Sequence, residues 1–301
     1  MSRSASVVIV TKNRREDLRR ALQSVVRQSV PVELLVFDDG SADGTSEMVR
    51  TEFPNVSIHR SEQSRGYIVH RNRAASIATG EIVFSLDDDA EFSTPNVIEQ
   101  TLAEFDDPRI GAVAIPYQDM NTRKVLRGPP PDRSQIYVTD AFVGTAYAVR
   151  KDVFLQLGGF REVLFHQEEE REFCLRMLNA GYVTRVGSAD LIYHYESPVR
   201  NWSRMTVYTA RNRILYIWHN VPFPYLTLHL AATSANLVRW GFRTKRPMWA
   251  LRGLAMGYGA MFKELFHRRP VSRRIFKLSR RMLQQGNPPV IPLREIEGEL
   301  R

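Results

Sequence analysis

Residues 5–11, ASVVIVT, contain an unbroken β-branched run, 7–11, which predicts a strand covered on both sides. Behind it REDLRRALQSVVRQ returns Leu18, Leu22 and the Val25–Val26 pair at helical spacing, with arginines opposite, and predicts an amphipathic helix. The alternation then repeats as a strand ELLVFDD at 33–39, the turn GSADG, a helix TSEMVRTEF, a strand VSIHR and a helix over 70–79. A strand EIVFSLD at 81–87, a helix over 94–105 and a strand IGAVAIP at 110–116 continue it. Strands alternating with helices of this length predict an α/β fold with a mostly parallel central sheet flanked by helices. Residues 117–140, with the polar, proline-rich RGPPPDRSQ, break the rhythm and read as a loop. AFVGTAYAVRKDVFLQLGGF restores it as strand, short helix and glycine turn; a helix over 168–180 and a strand over 182–192 complete a body that ends near 197.

The pattern beyond that point is of another kind, and charge sharpens the contrast. Residues 1–197 hold 23 Lys and Arg against 29 Asp and Glu, whereas residues 198–301 hold 19 against 4. The division predicts a body, 1–197, and a basic, partly apolar helical region, 198–301, that associates with a membrane or packs on the body. From Ile214 to Val238 the chain runs 25 residues without a formal charge, long enough to span a bilayer. Pro222 and Pro224 interrupt that run and basic residues crowd its flanks, so a buried or monotopic helical pair is the preferred reading. MFKELFHRRPVSRRIFKLSRRMLQ alternates bulky apolar residues with Arg and Lys in the manner of an interfacial segment, the alternative being a helix packed on the body. The expected polyanion is an anionic membrane surface rather than nucleic acid, because the basic residues are interspersed with Leu, Phe and Met.

With 43% hydrophobic and 25% charged residues, a chain of 301 residues is neither disordered nor a small metal- or disulfide-stapled module. Its single cysteine, Cys174, allows no internal disulfide, and the amino terminus lacks the long apolar segment of a secretory signal. A cytoplasmic location, peripheral at the inner face of the cell membrane, is expected.

The candidate chemistry is acidic. Asp38 and Asp39 end one predicted strand, and Asp87, Asp88 and Asp89 end another; ligands of open α/β sheets bind beyond those ends. Three adjacent carboxylates repel one another, and a hard divalent cation, Mg²⁺ or Mn²⁺, shared with substrate phosphates relieves that cost. Strand alternation puts Asp87 and Asp89 on one side and Asp88 on the other. Arg65 and Arg71 offer bidentate geometry to a diphosphate.

These motifs resemble the inverting glycosyltransferases of family 2, loosely their bacterial rhamnosyltransferase-like subgroup, from about residue 6 to 197. The opening VVIVTKNR is similar to that family's first strand and turn, and implies donor contacts at Thr11, Asn13 and Arg14. FDDGSADGT at 37–45 matches the motif in which Asp39 holds the nucleotide base, and RGYIVHRN at 65–72 matches the Gly and Arg-Asn ahead of the metal strand. The D-x-D motif falls on Asp87 to Asp89, with Asp87 and Asp88 also toward the nucleotide. HQEEEREFCLR matches Glu-Asp-x-Asp-Leu-x-x-Arg with Glu at both Asp positions, so that Glu170 takes the place of the general base, with Glu169 as the alternative. His194 matches a histidine that closes the metal site, giving Asp87, Asp89 and His194 as ligands. A salt bridge between Glu172 and Arg176, four residues apart, is the favoured reading of that pair.

The resemblance implies a GT-A fold and metal-dependent, inverting transfer of a hexosyl group from a UDP- or dTDP-sugar to a hydroxyl of a glycan or lipid-linked acceptor. The rivals are a sugar nucleotidyltransferase, disfavoured by the order of the motifs, and a nucleotide-sugar-, glycan- or membrane-binding protein without transferase activity.

Overall fold

The computed structural model describes residues 3–196 and 201–300. The expected boundary at 197–198 lies outside the described residues. The first half follows the predicted alternation: β1 Ala5–Thr11, α1 Arg15–Val26, β2 Val32–Asp38, α2 Thr45–Glu52, β3 Ser57–Arg60, α3 Tyr67–Ile77 and β4 Ile82–Leu86. Next come β5 Ala90–Phe92, α4 Val97–Ala103, β6 Ile110–Ala114, β7 Tyr117–Asp119, β8 Lys124–Arg127, β9 Tyr137–Thr139, β10 Ala146–Arg150 and α5 Lys151–Gln156. A 3-10 turn at Glu162–Leu164 leads to α6 Glu169–Asn179, β11 Val183–Val186 and β12 Ile192–His194. The remainder is α7 Trp202–Asn220, α8 Tyr225–Arg243, α9 Pro247–Lys263, a 3-10 turn Leu265–His267, α10 Arg273–Gln284, β13 Ile291–Pro292 and the short α11 Glu297–Leu300.

Nine strands form one sheet in the order β13-β9-β11-β6-β10-β4-β1-β2-β3, and four form a second, β5-β12-β7-β8. Parallel pairing holds across β4, β1, β2 and β3 and between β11 and β6, while β10 lies antiparallel between β4 and β6. The β-branched run of β1 is buried on both faces, Val7 and Ile9 against one apolar cluster and Val8 against the other.

Two expectations need correction. Residues 117–140 contain β7, β8 and β9 instead of a plain loop. The hairpin between β7 and β8 is closed by polar groups: Asp119 accepts the Asn121 N–H and the Thr122 hydroxyl, and Arg123 takes φ +56. Lys124, Val125 and Leu126 on β8 are all exposed, so no buried face was there to be read. The single strand expected over 182–192 is two strands in different sheets. Between them Ser188 donates from backbone and hydroxyl to the buried Glu104, at 2.5 and 2.6 Å, and pins the turn that sends the chain across to β12.

The charge-free run of 214–238 is divided between α7 and α8 at the Val221–Pro224 connection. Among the described residues, no helix is long and apolar enough to cross a membrane. α10 turns Ile275, Phe276, Leu278 and Met282 into the core that holds Val138, Leu175 and Leu178, and β13 joins the edge of the large sheet on β9. Its apolar stripe thus packs on protein.

Candidate active site

The acidic cluster forms where β4 ends. Asp87, Asp88 and Asp89 stand in a turn, not in the strand, and β5 follows at once. β12 pairs antiparallel with β5, placing His194 opposite Ala90, so the second sheet carries the imidazole to the aspartates. Ligand atoms of Asp87, Asp89 and His194 lie within 4.8 Å of one another. Two carboxylate oxygens and one imidazole nitrogen make a donor set suited to Mn²⁺ or Mg²⁺, so the residues fit the expected cation. The turn, rather than strand alternation, brings Asp87 and Asp89 together.

Arginines hold the other sides of the cluster. Arg14 reaches Asp88 at 3.1 Å and Asp89 at 2.5 Å, and His194 Nε2 lies 3.2 Å from Asp89. Burial works against the ionisation of Asp89, but His194 and Arg14 outweigh it and hold its pKa below the ordinary value. Burial pushes the Asp88 carboxyl up to about 7, against the pull of Arg14. Arg71, buried on α3, donates to Asp87 at 2.6 Å and to the Gly144 carbonyl at 3.1 Å. Its guanidinium also lies 4.8 Å from the centre of the Tyr67 ring.

The donor-side loops are tied together by the side chains singled out from the sequence. Asn13, at φ +53, accepts the Ala42 N–H at 2.7 Å, and its own N–H donates to Ser41. Thr11 ends β1 beside Asp38, with its hydroxyl buried next to Asp88. Asp39 is fully engaged: Ser64 and the N–H groups of Arg65 and Gly66 donate to it, and His70 Nε2 lies 2.7 Å away. A carboxylate has about four lone-pair sites, so these four groups saturate it. Despite burial they depress its pKa. The Arg65 side chain is exposed, and its backbone is the part that meets Asp39.

Glu170 faces a second space. It lines a cleft of about 360 Å³ with Tyr117, Arg127, Phe142, Arg171 and Arg213 among its walls. Gly144 separates this cleft from the acidic cluster. A Cβ at that position would stand 2.7 Å from Glu170 Oε1 and 3.0 Å from Arg71, so glycine is what lets both side chains approach. Burial, then the charge of Glu169, raises the Glu170 pKa well above the ordinary carboxylate range, with Arg71 opposing. Glu169 is fully buried beside Tyr67, with Arg71 at 3.8 Å, and burial raises its pKa too. Glu172 has the opposite fate. Arg161 donates to it at 2.7 Å and Arg176 grips both its oxygens, so its pKa is held down in spite of burial.

The sequence reading missed the residue that shapes this side of the site. Phe165, Gln167 and Glu168, just before α6, have φ of +60, +70 and +70. Each such conformation costs about 1–3 kcal/mol in a non-glycine residue and persists only where its surroundings impose it. Asn212 of α7, wholly buried, imposes it by donating to the carbonyls of Leu164, His166 and Gln167 at 2.8, 2.6 and 2.9 Å. Arg211 donates to the Val163 carbonyl, Thr209 to the Gln167 side chain and Arg213 to Glu168. The available signal was the run of three polar residues Arg211–Arg213 ahead of the apolar stretch Ile214–Trp218.

Comparison with known proteins places this geometry. The sequence model described as Glycosyl transferase family 2 matches residues 6–155, about half of the chain. The chain belongs to that family. The family match covers β1 through α5, and hence Arg14, Asp39, Arg71 and the three aspartates after β4. An uncharacterized glycosyltransferase of Bacillus subtilis, YwdF, is 27% identical over 208 residues, covering 66% of this chain and 76% of that protein. Among solved structures, the mannosyltransferase PcManGT from Pyrobaculum calidifontis, in complex with GDP-Man and Mn²⁺, superposes with a TM-score of 0.58 at 19% identity over 89% of each chain. TarS 1–349 of S. aureus, in complex with UDP-GlcNAc, gives a TM-score of 0.63 at 18% identity, covering 90% of this chain and 82% of that one. The fold is GT-A.

Proposed function

We propose that this glycosyltransferase is metal-dependent and inverting, moving a hexosyl group from a UDP- or dTDP-sugar to a hydroxyl of a glycan or lipid-linked acceptor. One juxtaposition carries the reading: a three-ligand acidic cluster and a carboxylate of raised pKa stand on either side of Gly144 and Arg71. Inversion by a single displacement needs those two things, a leaving-group stabiliser on one side and a base on the other.

In this reading Asp87, Asp89 and His194 hold the cation. A divalent cation bound there would supply positive charge to the departing diphosphate. Arg14 and Arg71, already facing the cluster, hold the phosphates, with Arg65 at the exposed rim. Thr11, Asn13 and Asp88 line the nucleotide side, and Asp39 takes the base by exchanging its exposed partner Ser64. Glu170 accepts the proton of the acceptor hydroxyl. That PcManGT is known in complex with GDP-Man and Mn²⁺, and TarS with UDP-GlcNAc, supports a nucleotide-sugar donor, and the former a divalent cation.

Single-turnover transfer with a panel of nucleotide sugars, and the anomeric configuration of the product, test the proposal. Glu170→Gln is expected to lower turnover by about 10²–10⁴-fold with donor affinity unchanged. Because Glu170 acts ionised and its pKa is raised, parent turnover falls as pH drops through that raised value; Glu170→Gln removes this limb. Parent turnover by Glu170→Gln alongside an inactive Glu169→Gln would move the base by one residue. Nucleotide affinity unchanged by a chelator, with Asp89→Ala binding as the parent does, would overturn the metal assignment.

A further inference from the structure

α8 and α9 form a helical hairpin joined by residues 244–246, and α9 lies on α7 along a seam of small residues. A Cβ at Gly253 would stand 2.4 Å from the Val207 carbonyl, and one at Gly257 would stand 2.9 Å from the Arg211 carbonyl. That close approach fixes which side of α9 turns inward. Ala250, Gly253, Leu254 and Gly257 are its buried positions, at spacings of three and four. The opposite side carries Arg252 and Lys263 but is otherwise largely apolar. Met248 is 73% exposed, Phe262 65%, and Leu251 is exposed between them; α8 adds Leu228 and Phe242, and Phe266, just beyond α9, is 97% exposed.

A helix face of this composition is out of place in water, since soluble helices keep charged residues there. Its charge surroundings identify what covers it. Residues 201–290 hold 16 Lys and Arg and one acidic residue, Glu264, which is turned toward His219 and His267 at 3.7 and 3.4 Å. Arg239, Arg243, Arg252 and Lys263 are exposed on the same two helices as the apolar side chains. A second copy of the chain would bring like charges together, whereas an anionic surface meets both the apolar side chains and the cations. The apolar positions run the length of α9, about 25 Å at 1.5 Å per residue, and no described helix is suited to crossing a bilayer. The partner is therefore a surface that the hairpin lies along.

We infer that the α8–α9 hairpin docks in the plane of an anionic lipid bilayer, with Leu228, Phe242, Met248, Phe262 and Phe266 entering the headgroup boundary and the four cations facing lipid phosphates. α10 is excluded from this role because its apolar residues are spent in the core.

Flotation of the full chain with phosphatidylcholine vesicles, with and without phosphatidylglycerol, tests the inference. No donor, metal or acceptor is present, so failure here leaves the transferase proposal standing. The expected result is binding to the anionic vesicles that weakens with salt. Combined Met248→Ser, Phe262→Ser and Phe266→Ser, all at exposed positions, should lower the partition coefficient at least about tenfold. Each of Arg243→Gln and Arg252→Gln should lower it about fivefold, and Lys277→Gln on α10 much less. Circular dichroism and thermal unfolding of each variant establish that the fold is kept. Absence of binding to anionic vesicles, or parent binding by the triple serine variant, would overturn the inference. So would a concentration-dependent dimer, seen by light scattering and dissolved by the same serines, in a chain that leaves vesicles alone.

Discussion

Three glutamates within four positions meet three fates, because burial alone does not decide what a carboxylate does. Glu172 is buried against Arg161 and Arg176, and remains an anion. Glu169 is equally buried but has Arg71 no nearer than 3.8 Å, and Glu170 opens on the cleft. Removing one partner of a buried ion network leaves charges without compensation, at a cost of about 3–5 kcal/mol. Glu172→Gln is therefore expected to lower stability by that order in urea unfolding while donor affinity per folded molecule is kept. Glu170→Gln, which replaces a carboxyl already biased toward its neutral form, should cost far less. Equal losses in the two variants would show that the Arg161–Glu172–Arg176 network carries no special weight. The Glu172–Arg176 pair was legible from its spacing of four. Arg161 was not, because eleven residues and a turn separate it from Glu172 and only the fold closes that distance.

At the scale of elements, α7 acts on chemistry that belongs to α6. The three left-handed residues before Glu169 set where the first turn of α6 begins, and thus where Glu170 points. Asn212 has two N–H groups for three carbonyls, so at least one of its bonds is shared. Asn212→Ala would strand buried carbonyls, costing about 1–3 kcal/mol, and release a strained segment whose relaxation moves Glu170, the proposed base. A displacement near 1 Å is enough to slow turnover about 10²-fold. The expected signature in single-turnover transfer is a fall in rate larger than any change in donor affinity, since Glu168 and Glu170 line the cleft. Parent turnover in a merely destabilised Asn212→Ala protein would confine α7 to a structural role. Sequence pattern found α6 to within a few residues and gave α7 only as part of a helical carboxy-terminal region, and it could not show that one shapes the other. That dependence rests on side-chain to carbonyl bonds over more than forty residues, which leave no periodic trace.

At the scale of the molecule, the acidic body and basic region differ in charge yet share a core. The first half was readable because β1, β2 and β4 stand out as short apolar runs between helical patterns and the aspartate pair and triplet sit at strand ends. The carboxy-terminal part was harder, because an apolar stripe on a basic helix reads the same whether lipid or protein covers it. In α10 protein covers it: Ile275, Phe276, Leu278 and Met282 join a cluster with Val138, Leu175 and Leu178, and β13 adds Ile291 at the edge of the nine-stranded sheet. α7 meanwhile holds the segment before α6. Ending the chain after Glu196 would expose that cluster and free that segment. The shortened chain is thus expected to lose cooperative thermal unfolding and near-ultraviolet circular dichroism, and to lose nucleotide binding with them. Loss of vesicle binding by such a chain would follow from unfolding and would say nothing about the α8–α9 hairpin, which is why exposed serine substitutions in the whole protein are the sharper probe of docking. A shortened chain that kept a cooperative transition and the parent's nucleotide affinity would show instead that residues 1–196 carry a sufficient core of their own, with α10 and β13 only leaning on it.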